Sequence, residues 1–154
     1  MLHAAYQHPD PVATVTRVID VRKAFSHSTR STPSGKRTII RLPSDIAKRD
    51  ERGNTYLYVL NCMQYGEVAA GARWQQTLWA WLRETDWRQS LFDPCLWYRR
   101  SIHLLTYTDD SKCRGLLVEI EEFFRDMCKR FPGCTINDGS NFLRRNFERY
   151  NDGT

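Results

Sequence analysis

The sequence predicts an α+β domain in which two main helices pack against one antiparallel sheet. Three observations predict it. Residues 69–88 and 116–131 each place apolar side chains at the helical period. Short runs rich in β-branched and aromatic residues stand before, between and after them. The order is strands, helix, strands meeting at an acidic turn, helix, strand, without the regular alternation of a parallel sheet. At 154 residues and 41% hydrophobic, the chain has the size and composition of one domain with a core. Residues 1–14 are read as an N-terminal extension, 15–150 as the domain and 151–154 as a tail.

In chain order, residues 15–21 (VTRVIDV) form a strand that ends near Asp20. Residues 26–37 are polar, carry Pro33 and Gly35, and make a loop. Residues 38–42 (TIIRL) suit a short strand, and Gly53-Asn54 marks a bend in the polar stretch that follows. Residues 56–63 (YLYVLNCM) read as a buried strand. In 69–88 the residues Trp74, Leu78, Trp81, Leu82 and Thr85 fall on one helical face, so the tryptophans belong to the core. Asp93-Pro94 opens a strand over CLWYR, and IHLLTY at 102–107 is another. In 116–131, Leu116, Ile120, Phe123, Phe124, Met127 and Phe131 share a face. Its early glutamates and late Lys129-Arg130 match the helix dipole, and Pro132-Gly133 ends it. CTIND is a strand, and NFLRRNFERY is a last strand or a short hairpin arm. A split β-α-β arrangement of the ferredoxin-like kind suits this order.

Charge is uneven. Residues 1–55 hold ten basic and five acidic side chains, a net +5 that equals the whole chain's formal excess, and the remainder is neutral. A basic N-terminal third suits either an anionic partner such as nucleic acid or a solvated face. No apolar run reaches the roughly 20 residues of a membrane helix, and no signal peptide is visible, so no membrane partner is expected. The five cysteines form no C-x-x-C pair and no zinc-like spacing with the histidines. Reduced thiols in the cytoplasm or nucleus fit best, with Cys62, Cys95 and Cys128 as core filler.

Tyr107-Thr108-Asp109-Asp110 sets two adjacent carboxylates directly after an apolar strand. Two such charges about 4 Å apart repel by about 4 kcal/mol at an effective dielectric near 20. A turn into water relieves this, and so does a divalent cation such as Mg²⁺ or Mn²⁺, which prefers hard oxygen ligands. If strands 15–20 and 102–107 are sheet neighbours, Asp20 joins the pair.

Several segments together resemble a known family. Asp20-Val21-Arg22-Lys23-Ala24-Phe25 resembles the D-V-x-x-A-F motif of reverse transcriptases from copia-type retrotransposons. Tyr65-Gly66, with Ala70 and Arg73-Trp74, is similar to the family's L-Y-G-L-K-Q-A-P-R-x-W stretch. Asp93-Pro94-Cys95-Leu96 is similar to D-P-C-L, and Tyr107-Thr108-Asp109-Asp110 to Y-x-D-D. The helix ending Lys129-Arg130-Phe131 resembles the family's helix after Y-x-D-D, and Asn141-Phe142-Leu143 the segment around F-L-G. The resemblance runs from about residue 17 to about residue 147 and covers mostly the palm region of such a polymerase.

That resemblance implies an RNA-directed DNA polymerase, with Asp20, Asp109 and Asp110 as catalytic ligands of Mg²⁺ (or Mn²⁺). It implies two-metal transfer of deoxynucleotides onto a primer 3′-hydroxyl, with an RNA or DNA template-primer and dNTPs as partners. The carbonyl of Val21 would add a ligand. Phe25 would screen the sugar 2′ side, and Tyr65, Gly66 and Tyr107 would lie near the nucleotide. The departures are Val68 for a lysine, Gly71 for a proline, Arg144 for the glycine of F-L-G, and a polar, weak returning strand at 111–115. No fingers precede residue 15 and no thumb or RNase H region follows, so a fragment or degenerate copy with little activity alone is expected. A non-catalytic ferredoxin-like nucleic-acid-binding module, using Tyr56, Tyr58 and Tyr98 as sheet aromatics, is the other class. The sequence does not indicate an oligomeric state.

Overall fold

A computed structural model describes residues 14–28, 37–143 and 145–147. The predicted N-terminal extension up to residue 13, most of the 26–37 loop, Arg144, the end of the last arm and the tail lie outside the described residues. The chain forms two compact units. One comprises the described residues of Met1–Ala24 and Trp79–Thr154, the other is Phe25–Leu78. Among the described residues the fold is α+β, with one large antiparallel sheet and two α-helices. No helix among the described residues is long and apolar enough to cross a membrane.

The first unit carries the large sheet. Its strands are β1 (Thr14–Val21), β4 (Arg88–Gln89), β5 (Leu96–Arg99), β6 (Ile102–Tyr107), β7 (Asp110–Leu116) and β8 (Cys134–Asn137). They lie in the order β4-β5-β6-β7-β1-β8, and every neighbouring pair is antiparallel. The short hairpin β9 (Asn141–Phe142) and β10 (Arg145–Asn146) follows, the hairpin form of the two readings of that segment. β1 therefore sits between β7 and β8 and does not neighbour β6, contrary to the condition under which Asp20 was expected to reach the acidic turn. β7 supplies the contact instead.

Strand alternation sorts the side chains onto two faces. Trp97, Ile102, Leu104, Thr106, Cys113, Ile19 and Val21 point to one face and are buried. That face carries the helices. α1 (Ala70–Glu84) reaches it through Trp79, whose Nε1–H donates to Thr106 Oγ1 at 3.3 Å and whose ring lies 6.0 Å from that of Trp97. α2 (Leu117–Arg130) reaches it through Glu122, which pairs with Arg99 at 3.6 Å. Between the helices the Trp81 ring stacks on Phe123 at 6.0 Å and meets Phe131 edge-on at 5.4 Å. The predicted stripes are thus core: Trp74, Leu78, Trp81 and Leu82 in α1 and Ile120, Phe123, Met127 and Phe131 along α2 are buried.

Each helix stops for a local reason. α1 was expected to run to residue 88 and ends at Glu84, because Asp86 takes a left-handed backbone (φ +62°) that reverses the chain. Trp87 N–H then closes back onto the Leu82 carbonyl at 3.1 Å, and Arg88–Gln89 pair as a strand. α2 has no side-chain cap of its own at Leu116. The Leu116 N–H donates instead to Ser101 Oγ at 3.1 Å, and that hydroxyl donates to Glu119. At the other end Phe131 N–H bonds the Met127 carbonyl before Pro132-Gly133.

β7 corrects the expectation of a weak returning strand. It is seven residues long and pairs on both sides. Its inward positions are small, Ser111, Cys113 and Gly115, and its outward ones basic, Lys112 and Arg114, so the period of two escapes a search for alternating large apolar residues. Gly115 has to be small: a Cβ there would stand 3.0 Å from Ile102 Cα and from the Ser101 carbonyl oxygen.

The second unit holds a 3₁₀ turn (Ala24–His27 reaches into it), the ribbon of β2 (Ile39–Arg41) with β3 (Leu57–Val59), and the first half of α1. The apolar run 56–63 was read as buried. Only three of its residues form a strand, and Tyr56, Leu57 and Val59 are exposed, because a two-stranded ribbon offers no second layer to cover them. The cysteines need a similar correction. Cys62, Cys95 and Cys128 are half-buried, whereas the core thiol is Cys113, which burial pushes up to about 12. All five are free.

Phe123→Ala removes a ring that touches both Trp81 and Trp87. It should cost about 3–5 kcal/mol in urea unfolding. Leu57→Ala on the exposed ribbon should change stability by less than about 0.5 kcal/mol.

Candidate functional site

The open face of the large sheet carries the predicted carboxylates. In β1, Ile19 and Val21 are drawn inward by their burial, which turns Asp20 outward. The β1–β7 register sets Asp20 directly opposite Asp110, and the β6–β7 register sets Asp110 opposite Tyr107. Thr135 of β8 faces Asp20 from the other side. Tyr107, Asp110, Asp20 and Thr135 therefore stand abreast across four strands.

The hydrogen bonding tightens this row. Val21 N–H donates to the Asp109 carbonyl at 3.1 Å, so residues 21 and 109 form a narrow pair of the ladder. Asp20 and Asp110, the next rung, are then a non-hydrogen-bonded pair, in which Cα atoms approach to about 4.5 Å and side chains come closest. The bond also places the Val21 backbone beside Asp109, although it engages the N–H, while the resemblance assigned the carbonyl.

The bend itself is tight. Thr108 and Asp109 form a two-residue hairpin loop closed by Tyr107 and Asp110, and Asp110 already belongs to β7. Thr108 has φ +51°, a conformation that disfavours a β-branched residue. Tyr107 is 57% exposed and lies beside this loop.

Electrostatics follow from the geometry. Partial burial, then the Asp109 charge, hold the Asp20 carboxyl above its ordinary value of 3.8, with Arg22 opposing. Partial burial, then Asp109 and Asp20, raise that of Asp110. The three carboxylates thus lie within each other's field. As the side chains stand, no group of three or more His, Cys, Asp or Glu among the described residues is arranged to hold a metal ion.

The remaining predicted residues fall in the second unit. The rings of Phe25 and Tyr65 meet there, 4.5 Å between centroids and tilted by 49°. Gly66 has φ +91° in the turn before α1, with open space around it, so the backbone conformation is what calls for glycine.

The sequence did not single out Arg22, Lys112 or Thr135. Arg22 is the cation nearest in effect to Asp20. Lys112, diagonal to the carboxylate row, lies under the β9–β10 hairpin, its Nζ 3.4 Å from the Phe147 ring centroid and 5.6 Å from that of Phe142. Once the strands are known, the period of two in β7 finds Lys112 and the β1–β8 register finds Thr135. Compared with known proteins, the chain matches no protein-family model and no curated protein.

A raised carboxyl in the folded state binds its proton more tightly than in the unfolded chain. Its contribution to folding is present below the ordinary value and is lost as pH rises through the raised one. Asp110→Asn should therefore stabilise the protein at neutral pH, by about 0.2–1 kcal/mol for relief of a cross-strand like-charge pair. The gain should shrink toward zero as the pH is lowered through the carboxylate range. Urea unfolding of both proteins across that range measures it.

Proposed function

We propose that this chain is a palm region of an RNA-directed DNA polymerase of the copia-type retrotransposon kind, with Asp20, Asp109 and Asp110 as its catalytic carboxylates. The observation that carries the reading is the β1–β7 register, which brings Asp20 opposite Asp110 across about ninety residues of chain. Sheet topology supports it. The order β6-β7-β1-β8, with α1 on the way from β1 to β6 and α2 between β7 and β8, interleaves two split β-α-β units, the ferredoxin-like pattern of a palm.

The donor set suits a hard divalent cation in its chemistry. Carboxylate oxygens from adjacent strands share one face, and their mutual repulsion and partial burial are what such a cation relieves. Holding it requires the three side chains to turn toward one another from their present positions. When bound, Mg²⁺ or Mn²⁺ supplies positive charge for activating a 3′-hydroxyl and stabilising departing pyrophosphate. The chain's own contribution is placement. Asp20 and Asp110 are fixed by the ladder, and Asp109 by a two-residue loop. Tyr107 flanks them on the open face. The resemblance assigns Phe25 to selection of dNTPs and Tyr65 and Gly66 to the nucleotide, and all three belong to the second unit. Val68, fully exposed where the family pattern has lysine, removes a cation that would hold phosphate. Weak synthesis on a template-primer is the expected result for this chain alone, since positioning supplies much of the rate.

One observation favours a second reading, a non-catalytic nucleic-acid-binding module. Tyr98 and His103 meet edge-to-face at 5.2 Å on the open sheet face, and Arg114 is the cross-strand partner of His103. Exposed aromatics with a cation on an open sheet can stack bases. Tyr56 and Tyr58, also expected as sheet aromatics, belong instead to the ribbon of the second unit.

Titration with MgCl₂ followed by thermal unfolding separates the readings. The polymerase reading expects stabilisation of about 1.4 kcal/mol at ten times Kd for the unaltered protein. It expects none for Asp109→Asn with Asp110→Asn, and weak Mg²⁺-dependent primer extension lost in the same variant. An equal Mg²⁺ response of both proteins, with single-stranded DNA binding unchanged, overturns it in favour of the module.

A further inference from the structure

At the end of α2 two thiols meet. Cys128 lies in the last turns of α2 and Cys134 opens β8, with the Pro132-Gly133 turn between them. Gly133 takes φ +93°, which folds the chain back on itself. Cys128 Sγ lies 3.9 Å from the Cys134 carbonyl oxygen, Cys134 Sγ donates to the Phe131 carbonyl at 2.9 Å, and the Cys134 thiol lies within the field of Cys128. Both are half-buried, whereas Cys113 is closed off in the core. Nothing in the proposed polymerase chemistry uses them.

We infer that Cys128 and Cys134 form a reversible dithiol–disulfide site that reacts with low-molecular-weight disulfides and, when oxidised, ties the start of β8 to the end of α2. The site stands independently of the polymerase reading. It also lies close to the carboxylate row: Cys134 is the cross-strand partner of Val21 and sits within the field of Asp20.

The chemistry proceeds by exchange. The Cys128 thiolate attacks one sulfur of the small disulfide, whose S–S bond breaks and releases a first small thiolate. The Cys134 sulfur, giving up its proton, then attacks the Cys128 sulfur of the mixed disulfide and expels a second small thiolate. Two protein thiols become one disulfide, the oxidant gains two electrons, and the two thiol protons end on the released small thiols. Burial, then the neighbouring Cys128, push the Cys134 thiol up to about 12, and the exchange closes the same protein disulfide whichever sulfur attacks first. Helix, turn and strand bring the two cysteines to one place, with Cys128 Sγ against the Cys134 carbonyl.

Treatment of the folded protein with oxidised glutathione, followed by thiol titration, intact mass and non-reducing peptide mapping, tests this. Trypsin cuts after Arg125, Lys129 and Arg130, so the two cysteines fall on separate peptides. The expected result is loss of two of the five thiols. The mass should fall by two hydrogens, the peptide starting at Asp126 should be linked to that starting at Phe131, and dithiothreitol should reverse both. Cys134→Ser should instead accumulate glutathione on Cys128. Preferential linkage of any other pair, glutathione adducts at both positions without a link, or no reaction while Cys62 and Cys95 are modified would overturn the inference. The wild-type map decides even if the variant fails to fold.

Discussion

The antiparallel pairing of β1 with β7 is the constraint on which the rest of the open face depends. Its register runs from Thr14 opposite Leu116 to Asp20 opposite Asp110. A slip of one residue would turn Ile19 and Val21, both fully buried, out to the open face. Burying two such side chains is worth about 1.5–3 kcal/mol each. Opposing two partly exposed like charges across a rung, screened by water, costs on the order of 1 kcal/mol. Core burial therefore wins, and the register it selects forces the two carboxylates together. The hydrophobic side of the strand fixes the geometry of its polar side.

The same logic explains where the molecule tolerates local cost. The bend over Thr108 and Asp109 combines an unfavourable threonine backbone with clustered negative charge. It is held between β6 and β7, whose inner residues pack beneath the helices through Thr106, Ser111 and Cys113. On the opposite face the β9–β10 hairpin lies over Lys112. Strained positions held by a rigid surround are a common property of sites built for chemistry. The proposal of a polymerase palm rests on that arrangement together with the interleaved strand order. The dithiol at the end of α2 rests on neither.

Much of the fold was legible in the sequence, and the failures have physical causes. Both helical stripes were readable because their apolar residues are large and periodic, and α2 carried its own stop in Pro132-Gly133. The end of α1 was not readable, since Asp86 in a left-handed backbone leaves no glycine or proline to announce it. β7 was underrated because Ser111, Cys113 and Gly115 fill a close-packed interior with almost no hydrophobic signal. The run 56–63 was overrated because apolarity alone does not tell whether a second layer will cover a strand. Asp20 could be singled out only through its motif, as its meeting with Asp110 depends on a strand order that no local pattern contains. Thr135 and Lys112 became visible only with that order in hand. Cys128 looked like core filler among apolar neighbours, yet the turn after it leaves it half open beside Cys134.

Interstrand proton contacts measured by NMR test the central register most directly. In an antiparallel ladder the α-protons of non-hydrogen-bonded partners face each other across the shortest gap. The account predicts strong Hα–Hα contacts for Asp20 with Asp110, Val18 with Lys112 and Thr16 with Arg114. A ladder shifted by one residue, with Asp20 facing Asp109 or Ser111, or an Asp20 α-proton with no contact to β7, would contradict it.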